Sequence, residues 1–411
     1  MPTSLKVCID VSAAVHQRAG LGRYAQELVK GLVDLGRGEA SPRESSLINH
    51  TARAGPPIDQ ADLRDASPLQ ITAFYHQRGE ARLDPPLDRL PRLTTRLSVR
   101  PWRLTTALAY FTGFGMDRMF GDVDLFHATE HLLPRLKHTR SVFTLHDLIF
   151  QFDPDSHKPL NIAFLKTMMP RFLRAADAII AVSECTKRDA VNLYSIPADK
   201  IHVVYEGVDP KFTPITAPDR LSQVRAKYRL PERFILHVGT IEPRKNLPLL
   251  FEVAAQTKEH VVVAGKLGWL TDPILAKVKE LGVEDRVTFT GFVADDDLPV
   301  LISAAAVLAM PSKYEGFGLP ILEALACGTP VVASNAASLP EVGGDAVLYA
   351  WHDDVRSWIR LLTLALDDAE LRGWLREKGL RQAAKFRWET MARDTAQLYR
   401  AVAGREIRTS A

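Results

Sequence analysis

The chain has 411 residues, of which 46% are hydrophobic and 25% are charged, with a formal net charge of +3. This composition is typical of a soluble globular protein, and the length suggests two domains of roughly 200 residues each. A charge so close to neutral gives no argument for nucleic-acid binding, and no apolar run reaches transmembrane length.

The three cysteines, Cys8, Cys185 and Cys327, are isolated from one another. Their spacing therefore indicates neither a disulfide framework nor a zinc site. The first residues, MPTSLKVCIDVS, run straight into a predicted strand without the apolar stretch of a signal peptide. We therefore expect a reducing, cytoplasmic environment.

Short β-rich runs alternate with helical segments along the chain, a pattern typical of parallel α/β sheets. In the first half we predict helices over 22–35 and 159–176, and another from an N-cap at Ser183 to about Tyr194. Residues 37–69 interrupt the pattern, and we expect a long loop there, either a passive insertion or an acceptor-side lid. The predicted strands of this half are LKVCIDVS, QITAFYH, DLFHAT, SVFTLHDL, AIIAVS and KIHVVYEGV.

The second half repeats this rhythm after a proline-rich linker, DPKFTPITAPDR. We predict two doubly wound parallel-sheet domains, 1–210 and 211–385, that face each other across a cleft. Such sheets bind ligands at the carboxyl ends of their strands. The predicted strands of this half are RFILHVGT, HVVVAG, RVTFTGFV, AAVLAMPS, TPVVAS and AVLYA.

The segment EGFGLPILEALACGTP predicts a helix over Leu319–Cys327, with Pro320 in its first turn and Gly328 just past its end. The preceding glycines would open backbone N–H groups to a ligand, and the helix macrodipole would favour an anion. Glu323 lies about one turn inside this apolar helix, where a buried carboxylate needs donors such as vicinal sugar hydroxyls. A lone helical glutamate usually faces solvent, but the glycines and the upstream Glu315 favour a ligand site.

A second cluster of polar residues lies in HVGTIEPRKNLPLL, where a strand ends near Gly239 and Asn246 is placed to cap the next helix. The loop between them presents Glu242, Arg244 and Lys245. Two cations beside open backbone donors are typical of a diphosphate site. Such a pair is more commonly solvated, but its position at the carboxyl end of a strand favours a ligand.

Two further features follow predicted strands of the first half. Gly20 and Gly22 open the first predicted helix and would allow close approach of a phosphate or sugar, although Gly-x-Gly alone is a weak signal. His146, beside Asp147, ends a strand, and we expect it to contact a sugar hydroxyl or to handle a proton. A purely structural histidine is the alternative.

We predict no metal site. The carboxylates of DVD at 122–124 directly precede a strand, and those of DPD at 153–155 lie in a loop. The histidines of HATEH lack the spacing of a zinc protease. Fixed cations and helix dipoles could stabilise a departing diphosphate without a metal.

Together these motifs resemble the retaining glycosyltransferases of family 4, which have the GT-B fold of two Rossmann-like domains. The hallmark of that family is two glutamates separated by seven residues, as Glu315 and Glu323 are, and the context GFGLPxLEAxAxGxPV that follows Glu315 is intact. VGTIEPRKNL resembles its donor-phosphate loop, GLGRY its first glycine loop, and TLHDL and VSECTKRD its acceptor domain. FRWETMARDTAQLYRAV resembles its closing helix, over 386–411, in which Trp388 and Tyr399 would pack on the first domain.

The resemblance implies a role for each motif. Glu323 would hold the ribose, Glu315 and the following backbone the transferred sugar, and the backbone at 292–293 would border the base. The catalytic residues would be His146, Arg244, Lys245 and Glu315. The donor-binding residues would be Gly20, Gly22, Gly239, Arg244, Lys245, Phe292, Val293, Glu315, Gly316, Phe317, Gly318, Leu319 and Glu323.

The implied activity is retaining transfer of a hexosyl unit from a nucleoside-diphosphate sugar to a glycan or lipid-linked acceptor, without a metal or other cofactor. We favour a front-face displacement in which a leaving-group phosphate oxygen accepts the acceptor's proton. The resemblance suggests GDP-mannose as the donor, with UDP- and dTDP-sugars left open.

Two alternative functions are a nucleotide-sugar epimerase or phosphorylase on the same fold, and an inactive sugar-nucleotide-binding protein. The paired glutamates and the EPRKN loop disfavour both.

Between Arg82 and Arg103 the chain carries six arginines, interleaved with leucines and Trp102. Such a surface would suit a lipid-linked acceptor at the inner face of a membrane. A solvated face is the alternative, because Asp84 and Asp88 offset part of the charge and prolines interrupt any long helix. Peripheral membrane contact is therefore a hypothesis, and the oligomeric state is not predicted.

Overall fold

The computed structural model describes residues 4–16, 19–37, 68–77, 81, 83–156 and 158–404. Strands and helices alternate throughout them. In chain order the strands are β1 Leu5–Asp10, β2 Leu69–His76, β3 Arg92–Thr95, β4 Leu125–Ala128, β5 Arg140–Leu145, β6 Ala178–Ala181, β7 Ile201–Val203, β8 Ile235–Val238, β9 Val261–Ala264, β10 Val287–Gly291, β11 Val307–Met310, β12 Val331–Ser334 and β13 Leu348–Ala350.

The helices cover both faces of the sheets and vary from one turn to five. They are α1 Ser12–Val15, α2 Ala19–Gly36, α3 Val99–Thr112, α4 Ile149–Phe152, α5 Pro159–Ala175, α6 Glu184–Tyr194, α7 Pro218–Tyr228, α8 Leu247–Thr257, α9 Asp272–Glu280, α10 Leu298–Ala304, α11 Leu319–Ala326, α12 Leu339–Gly343, α13 Val355–Asp367, α14 Ala369–Ala383 and α15 Trp388–Ala403. Over the described residues, each helix is too short or too polar to cross a bilayer.

The described strands form two parallel sheets. The first has seven strands in the order β3-β2-β1-β4-β5-β6-β7, and the second has six in the order β10-β9-β8-β11-β12-β13. In each sheet the order reverses beside the first strand, as in doubly wound folds. The predicted pair of doubly wound parallel sheets is therefore confirmed.

Central strands such as β4, β6, β9 and β11 are buried along their whole length. Their continuous apolar runs suit parallel strands that helices cover on both faces. On one face of the first sheet, Phe74, Phe126 and Phe143 pack against Trp102 of α3 and Phe172 of α5. Full burial of each such side chain stabilises the fold by roughly 1.5–3 kcal/mol.

The final helix, α15, returns to the first sheet and packs beside α2. Its Tyr399 is fully buried, and the phenol oxygen lies 2.6 Å from Nδ1 of His127. The chain segments that join the two halves meet at Gly207, where a Cβ would lie only 2.2 Å from the backbone nitrogen of Trp388. Val208 also donates a backbone hydrogen bond to the carbonyl of Phe386 at 3.2 Å. Both connections therefore lie at one place, which suits a hinge.

Several local predictions differ from the structure. Each predicted strand is present, but β3 was missed because its sequence, RLTT, is polar and lies at a sheet edge. The predicted loop over 37–69 ends before Leu69, which begins β2, and residues 38–67 lie outside the described part. The predicted closing helix over 386–411 is Trp388–Ala403, and 405–411 are likewise not described.

Helix-capping predictions were right at one site and wrong at another. Ser183 caps α6, because its hydroxyl oxygen accepts a hydrogen bond from the backbone N–H of Thr186 at 3.0 Å. Asn246 precedes α8 but does not cap it. Its backbone is left-handed, with φ of 54°, and its side-chain amide donates instead to the carbonyl of His352 at 2.7 Å.

Candidate functional site

The carboxyl ends of the two sheets face each other across a closed cleft. The chain is so close there that a Cβ on Gly316 would lie 2.0 Å from the carbonyl oxygen of His146. Ser183 of the first half also donates a hydrogen bond to the carbonyl of Gly316 at 2.8 Å. Further along, Glu341 accepts hydrogen bonds from the backbone N–H groups of Glu184 (2.6 Å) and Cys185 (3.1 Å) at the start of α6.

Glu315, Arg244 and Lys245, which lie far apart in the sequence, meet in one buried cluster. Nη1 of Arg244 lies 2.5 Å from Oε2 of Glu315, and Nζ of Lys245 lies 2.6 Å from Oε1 of the same carboxylate. Nε of Arg244 also lies 2.5 Å from Oε1 of Glu242, which is buried beside it. Two cations and two carboxylates thus balance one another at the end of β8 and the start of α11.

The charges of this cluster depend on one another. Burial alone would raise the pKa of Glu315, but Arg244 and Lys245 lower it to about 2. Burial acts to lower the pKa of Arg244, and Glu315 and Glu242 more than reverse that effect. Burial and the adjacent Arg244 lower the pKa of Lys245, whereas Glu315 and Glu242 act to raise it. The carboxylate of Glu315 therefore favours the charged form of both cations, against the effect of burial.

The loop Gly316–Gly318 leads into α11 and presents open backbone donors. Among the described residues, no recorded hydrogen bond is donated by the backbone N–H groups of Gly316–Leu319. The hydroxyl of Ser338 fixes the loop by hydrogen bonds to the carbonyls of Glu315 and Phe317, at 2.8 and 2.7 Å. Gly318 has φ of 120°, which an L side chain rarely adopts. These donors at a helix N-terminus form an arrangement that suits an anion.

Glu323 is buried in α11, as predicted, but its partner was not predicted. Its carboxylate accepts a hydrogen bond from Nη1 of Arg23, which belongs to α2 of the first half. Burial raises the pKa of Glu323, and the guanidinium of Arg23 acts against that rise. The position assigned to a ribose is thus in contact with a cation from across the cleft.

His146 lies at the cleft, but its ring is held by the first half. Its Nε2 donates to the carbonyl of Thr129 at 2.9 Å, and its Nδ1 lies 3.5 Å from Oε1 of the buried Glu206. Its carbonyl oxygen is the atom that meets Gly316. The predicted contact between this ring and a sugar hydroxyl stays a prediction.

The other predicted donor-binding residues occupy varied positions. Gly20 lies in α2 with open space around it, whereas a Cβ on Gly22 would lie 3.0 Å from the carbonyl oxygen of Ala13, so this glycine allows α1 and α2 to pack together. Contrary to expectation, the short helix α1 separates both glycines from the first strand.

Gly239 directly follows β8 with φ of 153°, and a Cβ there would lie 3.4 Å from Cε of Lys245. It therefore lies beside the charged cluster. Phe292 and Val293 follow β10: the Phe292 ring is 62% exposed beneath Nζ of Lys266, and Val293 is buried. Phe292 and Val293 are separate in sequence from the other motifs, but like Gly239 they lie at the carboxyl edge of the second sheet.

Sequence reasoning missed Arg23, Glu206, Ser338 and Glu341. Arg23 carried a usable signal, because it directly follows Gly22 in the GLGRY motif and is a cation opposite an acidic motif. Glu206, Ser338 and Glu341 carried no such sequence signal, since a lone glutamate or serine after a strand is common.

A cavity of about 630 Å³ lies away from this site, between Pro214, Thr329 and Arg376. It is near the amino ends of the strands of the second sheet. None of the predicted site residues lines it. The predicted site is instead the closed seam between the two halves.

Comparisons with known proteins agree with this architecture. A family model described as "Glycosyl transferases group 1" matches residues 222–382, and one described as "Glycosyltransferase Family 4" matches residues 44–212. The O-antigen chain mannosyltransferase B of Escherichia coli is 31% identical over 407 residues, which cover 96% of this chain and 100% of that protein. The serotype-specific mannosyltransferase WbdA of Escherichia coli is 33% identical over 267 residues, 62% of this chain but 32% of that protein.

Two solved structures show the same fold at low sequence identity. Sucrose-phosphate synthase from Thermosynechococcus elongatus aligns with a TM-score of 0.71 at 20% identity, covering 97% of this chain and 98% of that one. HepE from Anabaena, solved with UDP and glucose, aligns with a TM-score of 0.67 at 18% identity, covering 97% and 100%. The chain therefore belongs to glycosyltransferase family 4 and is a glycosyltransferase with the GT-B fold.

Proposed function

We propose that this glycosyltransferase moves a hexosyl unit from a nucleoside-diphosphate sugar to a glycan or lipid-linked acceptor, with retention of configuration and without a metal. The observation that carries the proposal is the buried cluster of Arg244, Lys245 and Glu315 beside the open N–H groups of the Gly316–Gly318 loop. A departing diphosphate needs donors and positive charge at one point, and this cluster has both.

The cations retain hydrogen-bonding capacity for a diphosphate. An ammonium has three N–H donors, and the recorded side-chain hydrogen bond of Lys245 uses one, to Glu315. The guanidinium of Arg244 has five, and its recorded bonds to Tyr314, Glu315 and Glu242 use only Nη1 and Nε. Each cation therefore has N–H groups left to donate to the added negative charges of a diphosphate.

Glu315 is better suited to hold the donor than to attack it. Each of its oxygens accepts a charge-assisted hydrogen bond from a cation, and its pKa is lowered to about 2, so the carboxylate is a weak nucleophile. A carboxylate has about four lone-pair sites, so Glu315 can still accept a hydrogen bond from a sugar hydroxyl. Its weak nucleophilicity supports front-face displacement, in which a phosphate oxygen of the leaving group takes the acceptor's proton. In that mechanism no carboxylate of the chain forms a covalent bond with the sugar.

The named relatives favour mannose as the transferred sugar. Two of them are named as mannosyltransferases, and the first aligns over nearly the full length of both chains. We therefore propose GDP-mannose as the donor and a growing O-antigen-type glycan as the acceptor. An epimerase-type reaction or an inactive binding protein is disfavoured, because the residues proposed for donor cleavage lie together and the named relatives are transferases.

A donor panel tests the proposed function. Purified protein is incubated with GDP-, UDP- and dTDP-sugars, and nucleoside diphosphate release is measured with and without a mannose-terminated oligosaccharide. Release from GDP-mannose that rises with acceptor, and a product whose anomeric NMR signal shows retention, are expected. Epimerised sugar without release, or binding without either reaction, would replace the proposal with one of its alternatives.

Lys245→Ala is expected to slow turnover roughly tenfold to a hundredfold, because a charge-assisted hydrogen bond is worth about 1.5–3 kcal/mol. The measurement is kcat for the donor that the panel selects, with a melting curve to confirm folding. Lys279→Ala, at an exposed position of α9, is the matched control and should keep wild-type turnover. If the folded Lys245→Ala variant keeps the wild-type kcat, this lysine does not stabilise the leaving group.

Gly316→Ala is expected to keep the cleft from closing, because its Cβ would lie 2.0 Å from the carbonyl oxygen of His146. Backbone cannot move aside as a flexible side chain can, so we expect at least about a tenfold loss of kcat. Solution scattering should show a larger radius of gyration, and nucleoside diphosphate should bind the second half more weakly than in the wild type, through the diphosphate contacts alone. Gly373→Ala, which has open space around its Cβ, is the control. Unchanged turnover and radius would show that closure at this contact is not needed.

We also propose peripheral membrane contact, through α3. Its buried face carries Trp102, Thr106 and Ala109, whereas Leu104, Leu108 and Phe111 form an exposed apolar stripe on the opposite face. These three side chains are 71%, 58% and 62% exposed.

The surroundings of this stripe are positively charged. Residues 96–116 contain no carboxylate, and Arg96 and Arg100 on this segment are exposed. Arg171 of α5 is also exposed, and its guanidinium carbon lies 5.1 Å from the centre of the Phe111 ring. An anionic bilayer matches both the apolar stripe and the positive charge.

Replacing Leu104, Leu108 and Phe111 together by serine is expected to lower binding to anionic vesicles at least about tenfold, because apolar burial in the bilayer is lost. Co-sedimentation with phosphatidylglycerol vesicles at low salt is the measurement. Leu364→Ser, at a position 40% exposed on α13, serves as the control. If the triple variant and the wild type sediment equally, or if neither sediments, α3 is not a membrane-binding surface.

A further inference from the structure

The contact between Arg23 and Glu323 joins the two halves of the molecule. Arg23 lies on α2 and Glu323 on α11, and Nη1 of the arginine donates to Oε1 of the glutamate. Their side chains are 22% and 6% exposed, so the pair is largely shielded from water. An ion pair this buried holds both groups in place more firmly than one on the surface.

The other charges around Glu323 are few. Asp295, after β10, lies 3.9 Å from Nη2 of Arg23 and acts to raise the pKa of Glu323. Lys211, from the linker, acts to lower it and lies 3.7 Å from Asp295. Cys327, directly after α11, also interacts electrostatically with Glu323, and Glu27, one turn along α2, interacts with Arg23 and Lys211. Since Asp295 and Lys211 oppose each other, Arg23 is the neighbour in direct contact that favours the charged carboxylate.

The carboxylate of Glu323 also keeps capacity for a ligand. Among the described residues, its recorded hydrogen bond uses Oε1, and none is recorded for Oε2. A carboxylate has about four lone-pair sites, so vicinal hydroxyls can bind while the arginine remains. Arg23 therefore need not leave when a ribose arrives.

We propose that Arg23 is a positioning residue for the donor: from the first half of the chain, it orients the carboxylate of Glu323 and favours its charged form, so that the carboxylate can accept the ribose hydroxyls. Nucleotide affinity then depends on closure of the cleft, because the second half alone lacks this cation. The inference rests on the proposed function, in which Glu323 binds ribose.

The effect on pH dependence follows from the sign of the interaction. Burial favours the neutral acid, and without the guanidinium Glu323 would take up a proton at higher pH. A neutral carboxylic acid accepts hydroxyl hydrogen bonds less well than a carboxylate. Nucleotide binding by a variant without Arg23 should therefore weaken more steeply than wild-type binding as the pH falls, beyond the change that the ionisation of the nucleotide's own phosphate gives to both.

Calorimetric titration with GDP, or with UDP if the donor panel selects it, tests this from about pH 5 to about pH 8. The variants are Arg23→Met, which keeps much of the length and apolar stem, and Arg23→Lys, which restores a cation. Arg37→Met, at an exposed position just after the same helix, is the matched control. We expect Arg23→Met to bind about tenfold more weakly than wild type at low pH and within about threefold at high pH. Arg23→Lys should recover most of the loss.

Three results would overturn the inference. Unchanged affinity and pH profile in Arg23→Met would show that Glu323 does not depend on this arginine. Tighter binding would show that Arg23 competes with the nucleotide. A loss of the same size at every pH, without rescue by lysine, would show a merely structural role. If the wild type binds no nucleoside diphosphate, the proposed function fails first and this inference with it.

Discussion

The buried carboxylate of Glu315, held between Arg244 and Lys245, is the interaction on which the rest of the cleft depends. A carboxylate without partners would be costly at this depth, and so would either cation. Because each charge needs the others, the loop after β8 and the loop before α11 are held together. That link also fixes Gly316–Gly318, whose free N–H groups and close contact with His146 define the seam between the halves.

A second buried carboxylate, Glu323, is satisfied differently. Its partner, Arg23, comes from the opposite half of the chain, whereas the partners of Glu315 lie within the same half. The part of the site assigned to sugar and diphosphate is thus assembled within the second half, and the part assigned to the nucleotide is completed by the first. In such an arrangement, the contacts to the diphosphate can form while the cleft is open, whereas the contacts to the whole donor form only after the cleft has closed.

Much of the fold was predictable because parallel strands covered on both faces are continuous apolar runs, as in β9 and β11. The edge strand β3 was missed because its residues are polar, and α1 because four residues carry no helical period. At the site, the glycines and the capping signals selected Glu315 and Glu323, and both prove to be buried carboxylates. Their partners were harder to predict, because Arg244 and Lys245 were assigned to a phosphate and not to Glu315. Arg23 was not assigned, because contacts across a cleft leave no periodic trace in a sequence and only its place in the GLGRY motif marked it.

The central claim is that the charged cluster at Glu315 is a site for a diphosphate. Calorimetric titration of the wild type with a nucleoside, its monophosphate and its diphosphate tests this most directly. We expect the diphosphate to bind at least about a hundredfold more tightly than the nucleoside, because two or more charge-assisted hydrogen bonds are added. Equal affinity for all three would contradict it, since the cluster would then contribute nothing to donor recognition.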